Sequence, residues 1–142
     1  MNHIGRCHCG NIRYSLESDK PAQWFRPRDF RCTFCVKHGA NWISDPEASL
    51  AIEIDDPSLI QRYVFGHGTA GFLLCRQCGA VPAAVCELEG ETLAVVNVNT
   101  ADDPGAFPEA PRPVYFDGED KARRLARRKK IWIGRVTIGD VP

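Results

Sequence analysis

Two short cysteine pairs, each followed by a glycine, constrain this chain more than any other feature. The first is Cys7-His8-Cys9-Gly10 and the second is Cys75-Arg76-Gln77-Cys78-Gly79. Glycine at the end of such a turn adopts positive φ, which costs other residues more. Four thiolates from two distant turns satisfy the tetrahedral preference of zinc. The pairs therefore predict one closed, structural zinc site with Cys7, Cys9, Cys75 and Cys78 as ligands. His8 is an alternative ligand, although adjacent residues seldom point to the same ion.

A third pair, Cys32-Thr33-Phe34-Cys35, has no matching pair elsewhere in the sequence. If Cys32 and Cys35 bind a second zinc, the other ligands must come from His38, Asp29, water or a substrate, and an open position would then allow chemistry. The pair is also compatible with a reduced buried pair, a redox-active dithiol or a degraded metal site. The remaining cysteine, Cys86, lies in an apolar segment and is predicted to be a packed small side chain.

The length and the charge balance of the chain indicate a globular protein. Its 142 residues, of which 44% are hydrophobic and 25% charged, can bury a core, so we expect a single domain spanning residues 1–142. Because 18 acidic side chains balance 18 basic ones, contact with nucleic acid would need a local patch. No apolar run reaches the roughly 18 residues of a membrane span, and no apolar signal segment precedes Cys7. We therefore expect no membrane partner and a cytoplasmic location, where short-spaced cysteines hold metals more often than they form disulfides.

The secondary-structure pattern predicts a mainly β fold. Short segments of β character, with partly alternating apolar residues, recur between glycine and proline turns. These segments are residues 11–16, 50–54, 60–65, 71–74, 81–85 and 92–99, with a last strand at 131–138. Residues 119–130 contain no glycine or proline and are the one good helical candidate. The expected architecture therefore has at most one short, C-terminal helix.

The order of the three cysteine clusters resembles a known family. The similar stretches are residues 5–14 (Gly-Arg-Cys-His-Cys-Gly-Asn-Ile-Arg-Tyr), 31–35 (Arg-Cys-Thr-Phe-Cys), 72–79 (Phe-Leu-Leu-Cys-Arg-Gln-Cys-Gly) and the Asp-Asp-Pro turn at 102–104. Together they resemble the glutathione-dependent formaldehyde-activating enzymes and centromere protein V. The resemblance covers about residues 5–104 and leaves 105–142 as a C-terminal extension. It implies a β-tent fold of short antiparallel sheets around one structural zinc.

The same resemblance implies a catalytic centre. In the family, a Cys-x-Cys-x-x-Cys cluster holds a second zinc for carbon–sulfur lyase chemistry, which joins formaldehyde and glutathione or splits their adduct. Cys32 and Cys35 match the last two cysteines of this cluster, but Phe30 stands at the first, and phenylalanine cannot bind zinc. His38 would complete a Cys-Cys-His set. The leading hypothesis is a lyase-like enzyme that acts on glutathione or another small thiol adduct, with Cys32, Cys35 and His38 as catalytic residues.

Two other functions remain open at this level. A non-catalytic zinc-binding module would have kept the scaffold and lost the second zinc site at Phe30. A nucleic-acid-binding protein would use the basic run from Lys121 to Lys130, which has seven positive charges in ten residues. We expect this run to be the solvated face of a helix whose apolar side, Leu125 and Ala126, packs on the sheet.

Aromatic and basic residues near the third pair could form a substrate pocket. Aromatic side chains could wall it, and arginines could bind a substrate carboxylate. The candidates are Trp24, Phe25 and Phe30 for the wall, and Arg26 and Arg28 for the carboxylate.

Overall fold

A computed structural model describes residues 1–116 and 118–140 of the chain. Asp117 and residues 141–142, which fall in the predicted C-terminal extension, lie outside the described residues. Within this range there are two α-helices, α1 (Thr33–His38) and α2 (Lys121–Ile131), and four short 3₁₀ turns, at Ala22–Trp24, Pro57–Leu59, Val98–Thr100 and Pro104–Ala106. The strands are β1 (Asn2–Arg6), β2 (Ile12–Glu17), β3 (Arg28–Phe30), β4 (Trp42–Ile43), β5 (Ser49–Ile54), β6 (Ile60–Val64), β7 (Gly71–Cys75), β8 (Ala83–Leu88), β9 (Glu91–Asn97), β10 (Arg112–Val114) and β11 (Arg135–Asp140).

The strands form two sheets, which confirms the mainly β fold class. One sheet has the order β1-β2-β5-β11 and the other has the order β10-β3-β4-β9-β8-β7-β6. Two parallel pairs, β3 with β10 and β5 with β11, add to the antiparallel pairing that the resemblance implies. Both parallel partners come from the C-terminal extension, and α2 connects them. The extension therefore contributes one edge strand to each sheet.

The helices only partly follow the sequence pattern. The predicted helix is present as α2, and the side chain of Asp120 caps it by accepting a hydrogen bond from the Arg123 N–H at 2.8 Å. The six-residue helix α1, which ends at Gly39 with a left-handed φ of 82°, was not predicted. The last strand begins at Arg135, since α2 continues as far as Ile131. No helix in the described part of the chain has the length and apolar character that crossing a membrane requires.

The core lies on both faces of the seven-stranded sheet. In the four-stranded sheet, alternate residues of β2 and β5 point inward and are buried against one face of the larger sheet. Along β9, Ala94 and Val96 belong to that core, whereas Leu93 and Val95 belong to a second core on the opposite face. Each fully buried aliphatic side chain contributes roughly 1.5–3 kcal/mol to folding. The second core includes Cys35 of α1 and places the helices on this face.

Two local contacts secure β1 and the loop before β5. A Cβ at Gly5 would collide with the hydroxyl of the buried Tyr14 and with the backbone carbonyl oxygen of Thr100. The carboxylate of Asp45, which is 1% exposed, accepts hydrogen bonds from Ser18 Oγ at 2.7 Å and from Lys20 Nζ at 3.2 Å. Burial disfavours ionisation of Asp45, but these donors outweigh it and hold the pKa of the carboxyl below its ordinary value.

Candidate metal centre and cysteine cavity

Two turns of similar shape bring the four predicted zinc ligands together. Cys7 and Cys9 lie in the turn between β1 and β2, and Cys75 and Cys78 lie at the end of β7 and in the turn that follows. In each turn the glycine N–H donates to the carbonyl of the first cysteine, at 3.0 Å for Gly10 and 2.8 Å for Gly79. The φ angles of these two glycines are 86° and 81°, as their position after a tight turn predicts.

The spacing of the four sulfurs matches a tetrahedral thiolate site. The Sγ atoms of Cys7 and Cys9 are 3.7 Å apart, those of Cys9 and Cys75 are 3.5 Å apart, and all four sulfurs lie within 4.8 Å of one another. A tetrahedron with metal–sulfur bonds of about 2.3 Å has edges of about 3.8 Å. The set consists of the four cysteines and does not include the exposed His8. The four cysteines can therefore hold a metal ion.

Backbone groups and burial determine the state of these thiols. The N–H of Ile12 donates to Cys7 Sγ at 3.3 Å, yet burial dominates and raises the pKa of Cys7 to about 12. Burial also opposes ionisation of Cys78, but the N–H groups of Ala80 and Cys9 help to outweigh it, and the pKa of Cys78 falls to about 6. A set of four close, largely buried sulfurs suits a cation that offsets their combined negative charge.

This candidate metal centre joins the two sheets. Cys7 precedes β2 of the four-stranded sheet and Cys75 ends β7 of the seven-stranded sheet, and both are fully buried in the core between the sheets. Cys78 packs against the same core, whereas Cys9 is exposed. An ion bound here would cross-link β-structure from the start and the middle of the chain.

The third cysteine pair lies elsewhere, in a cavity on the opposite face of the seven-stranded sheet. We call this the Cys32 cavity, and its volume is about 100 Å³. Its floor includes Phe72, Ala84 and Val95, which belong to the second core. The other lining residues are two cysteines, four arginines, further aromatic residues and small or polar side chains: Cys32, Cys35, Arg31, Arg124, Arg127, Arg128, Phe30, Phe65, Phe116, Trp132, His67, Thr69, Ala70 and Val114.

Cys32 and Cys35 differ in exposure and in ionisation. Cys32 is half-buried and immediately precedes α1, and its sulfur accepts a hydrogen bond from the Cys35 N–H at 3.3 Å. The Cys35 thiol also donates to this sulfur and, with the nearby charge of Arg124, outweighs burial and lowers the pKa of Cys32 to about 6. The same hydrogen bond and burial raise the pKa of Cys35, which is 1% exposed. At neutral pH the cavity therefore contains a thiolate at Cys32 and a thiol at Cys35.

His38 does not join this pair. Its ring stacks on Phe34 at 5.5 Å, burial lowers its pKa, and it does not line the cavity. Asp29, the other predicted protein ligand, forms an ion pair with Arg31 at 3.0 Å. Within the described residues, the four-cysteine centre is the only group of three or more potential ligands. A second metal held by three side chains of this chain, as the resemblance implies, does not fit the Cys32 cavity.

Phe30 occupies the wall of this cavity instead of a third sulfur. Its ring stacks on Trp42 at 6.3 Å and meets the edge of Phe116 at 5.7 Å. The other residues proposed for the pocket lie elsewhere: Trp24, Arg26 and Arg28 line a separate surface groove, and Phe25 is buried between the sheets. Of the predicted pocket residues, only Phe30 lines the cavity.

The arginines of α2 were missed as site residues. Arg124, Arg127 and Arg128 line the cavity, whereas the sequence predicted a solvated basic face. Leu125 packs on the second core as expected, but Ala126 is exposed and Arg128 is buried. The signal was present in the spacing, since residues three and four positions apart share one face of a helix. The remaining prediction for this region, contact with nucleic acid, would depend on the exposed residues of the run.

The fold and the site define a mainly β protein with a four-cysteine centre that can hold a metal and a separate cavity with two cysteines and four arginines. No family model and no curated protein matches the chain. A crystal structure of a Rhodobacter sphaeroides protein, determined as a Northeast Structural Genomics target, is similar to it. The two are 26% identical, with a TM-score of 0.58, and the match covers 78% of this chain and 99% of that chain. This similarity supports the fold.

Proposed function

We propose that this chain is a zinc protein related to the glutathione-dependent formaldehyde-activating enzymes, and that the Cys32 cavity makes and breaks the carbon–sulfur bond of a small thiol–aldehyde adduct. The observation that carries the proposal is the cavity itself, in which a half-buried cysteine of low pKa faces four arginines. The order of the three cysteine clusters in the sequence supports the family relationship.

The four-cysteine centre has a structural role in this proposal. Zinc bound by four thiolates has no open position, so it supplies bonds that hold the two sheets together. The chemistry then depends on the side chains of the cavity. Because the chain supplies no third ligand beside Cys32 and Cys35 within the described residues, no step requires a second metal.

For an S-hydroxymethyl adduct, the cavity can promote cleavage as follows. The Cys32 thiolate accepts the hydroxyl proton, a carbon–oxygen double bond forms, and the carbon–sulfur bond breaks. The electron pair leaves on the substrate sulfur, where the charge of Arg124 offsets it. Formaldehyde and the free thiolate are the products, and the reverse sequence joins them. The Cys35 N–H and thiol hold Cys32 in position, and His38 takes no part because it packs on Phe34.

Magnetisation-exchange NMR on formaldehyde and glutathione at equilibrium tests this function. Zinc-loaded protein should increase the exchange rate, Cys32→Ser should remove most of the increase, and Thr33→Ala should retain it. Thr33 is an exposed neighbour that does not line the cavity, which makes it a matched control. If the wild-type protein leaves the exchange rate unchanged, the proposed activity is wrong.

A non-catalytic zinc-binding module is the second candidate, and the observation that favours it is Phe30 in the wall of the cavity. The module predicts one zinc per chain and no acceleration of exchange. Two zinc ions per chain, the second lost in Cys35→Ser, would instead favour a metal-dependent centre like that of the family.

A further inference from the structure

Arg128 is a buried charge without a counter-charge. It is 8% exposed, its Nη1 donates to Thr69 Oγ1 at 2.7 Å, and the same nitrogen lies 3.6 Å from Cys86 Sγ. Its Nε has no hydrogen-bond partner, and no carboxylate lies within 4 Å of its guanidinium in residues 1–116 and 118–140. A charge in such a position is unfavourable unless a ligand or water compensates it.

Arg127 presents a second unused donor at the same cavity. Its Nε and Nη2 both donate to the carboxylate of Glu119, each at 3.0 Å, and its guanidinium lies 3.5 Å from the centre of the Phe116 ring. These contacts fix the guanidinium plane, yet Nη1 is buried and has no partner among the described residues. Glu119 thus orients Arg127 and leaves one donor free.

The lining of the cavity is positively charged. Arg31, Arg124, Arg127 and Arg128 line it, and within the described residues no aspartate or glutamate does. Arg31 pairs with Asp29, and Glu119 is shared by Arg124 and Arg127, so Arg128 has the largest unmet need for an anion. The Cys32 sulfur lies in the same lining.

We propose that Arg127 and Arg128 form an anion-binding subsite that takes the carboxylate of a small ligand whose reacting end reaches Cys32. Guanidinium groups bind carboxylates by charge-assisted hydrogen bonds, and the two unused N–H groups are the donors available here. This inference deepens the proposed function, on which it rests for the ligand being a thiol adduct. It also assigns a role to the C-terminal extension, which the family resemblance does not cover.

Alkylation of Cys32 by two reagents of opposite preference tests the subsite. Iodoacetate carries a carboxylate and iodoacetamide is its neutral analogue, so the ratio of their rate constants measures attraction of an anion toward the reacting sulfur. The zinc-loaded full chain is used, and mass spectrometry follows the peptide that contains Cys32. Both reagents are compared at one pH, so the ionised fraction of Cys32 cancels in the ratio.

We expect the iodoacetate to iodoacetamide ratio at Cys32 to exceed that of free glutathione by about tenfold, the effect of one charge-assisted contact. Arg128→Met and Arg127→Met should each return the ratio toward the glutathione value. Arg123→Met, on the exposed side of the same helix, should leave it unchanged. If Arg128→Met fails to fold, Arg127→Met alone decides the question, because its side chain lies nearer the surface.

A wild-type ratio equal to that of glutathione, or a ratio unchanged in folded Arg127→Met and Arg128→Met proteins, would overturn the subsite. The proposed function fails separately. A high, arginine-dependent ratio without accelerated formaldehyde exchange would keep the subsite and reject the lyase, whereas accelerated exchange with a glutathione-like ratio would do the reverse.

Discussion

The stability of this protein should rise with the concentration of free zinc, and the size of the effect follows from the position of the four-cysteine centre. A ligand that binds only the folded state adds about 1.4 kcal/mol to the free energy of unfolding for each tenfold excess over its dissociation constant. With 142 residues, the entropy of unfolding is about 0.3 kcal/mol/K. The melting temperature should therefore rise by about 5 °C per tenfold increase in free zinc above the dissociation constant.

The assay is thermal unfolding in chelator-buffered zinc over three decades of concentration, with a phosphine reductant present. Cys9→Ser should abolish the dependence on zinc, and because Cys9 is exposed, this change removes a ligand without opening a cavity in the core. Cys86→Ala is the matched control: it alters a fully buried cysteine outside the centre, so it should lower the melting temperature but keep the slope. A wild-type melting temperature independent of zinc, or an unchanged slope in Cys9→Ser, would refute the structural metal centre.

Two further predictions concern the stability of the fold. Asp45→Asn should lower the free energy of unfolding at pH 7 by about 1–3 kcal/mol, since charged hydrogen bonds to Lys20 and its neighbours are lost. Because the folded-state pKa of Asp45 lies below its unfolded value, its contribution is complete above about pH 4 and is lost as the pH falls through the folded pKa. Urea melts from pH 7 to pH 2 should thus show a smaller acid loss in Asp45→Asn, and parallel wild-type and variant curves would contradict this. Gly5→Ala should cost about 1–3 kcal/mol in urea melts, because the new Cβ meets Tyr14 and a backbone carbonyl that cannot move away; wild-type stability would show that this approach is not tight.

Much of the fold was predictable from local patterns. Alternating apolar residues in β2 and β5, and the doubly buried strands β8 and β9, follow the burial that their sequences suggest. The short strands β3, β4 and β10 were not predictable, since two or three residues hold no detectable alternation. The parallel pairs at the sheet edges were also beyond a local pattern, because they depend on where the chain returns after α2.

The candidate site divides in the same way. The glycines after Cys9 and Cys78 make the four-cysteine centre recognisable, since they encode two tight turns with sulfurs at fixed spacing. The place of His38 was misjudged because sequence proximity to Cys35 does not say which face of α1 it occupies. Arg127 and Arg128 were assigned to solvent on charge alone, and only the packing of α2 on the cavity explains why they are buried.

By itself, the sequence determined the fold class, the two cysteine turns and the extent of the C-terminal helix, because each depends on contacts between residues that are close along the chain. Only the tertiary structure decided that Cys7 and Cys75 meet between two sheets, that Phe30 takes a wall position beside Cys32, and that arginines from the far end of the chain face that sulfur. These arrangements depend on packing between distant segments, and burial changes the chemical character of a residue without leaving a mark in its local sequence.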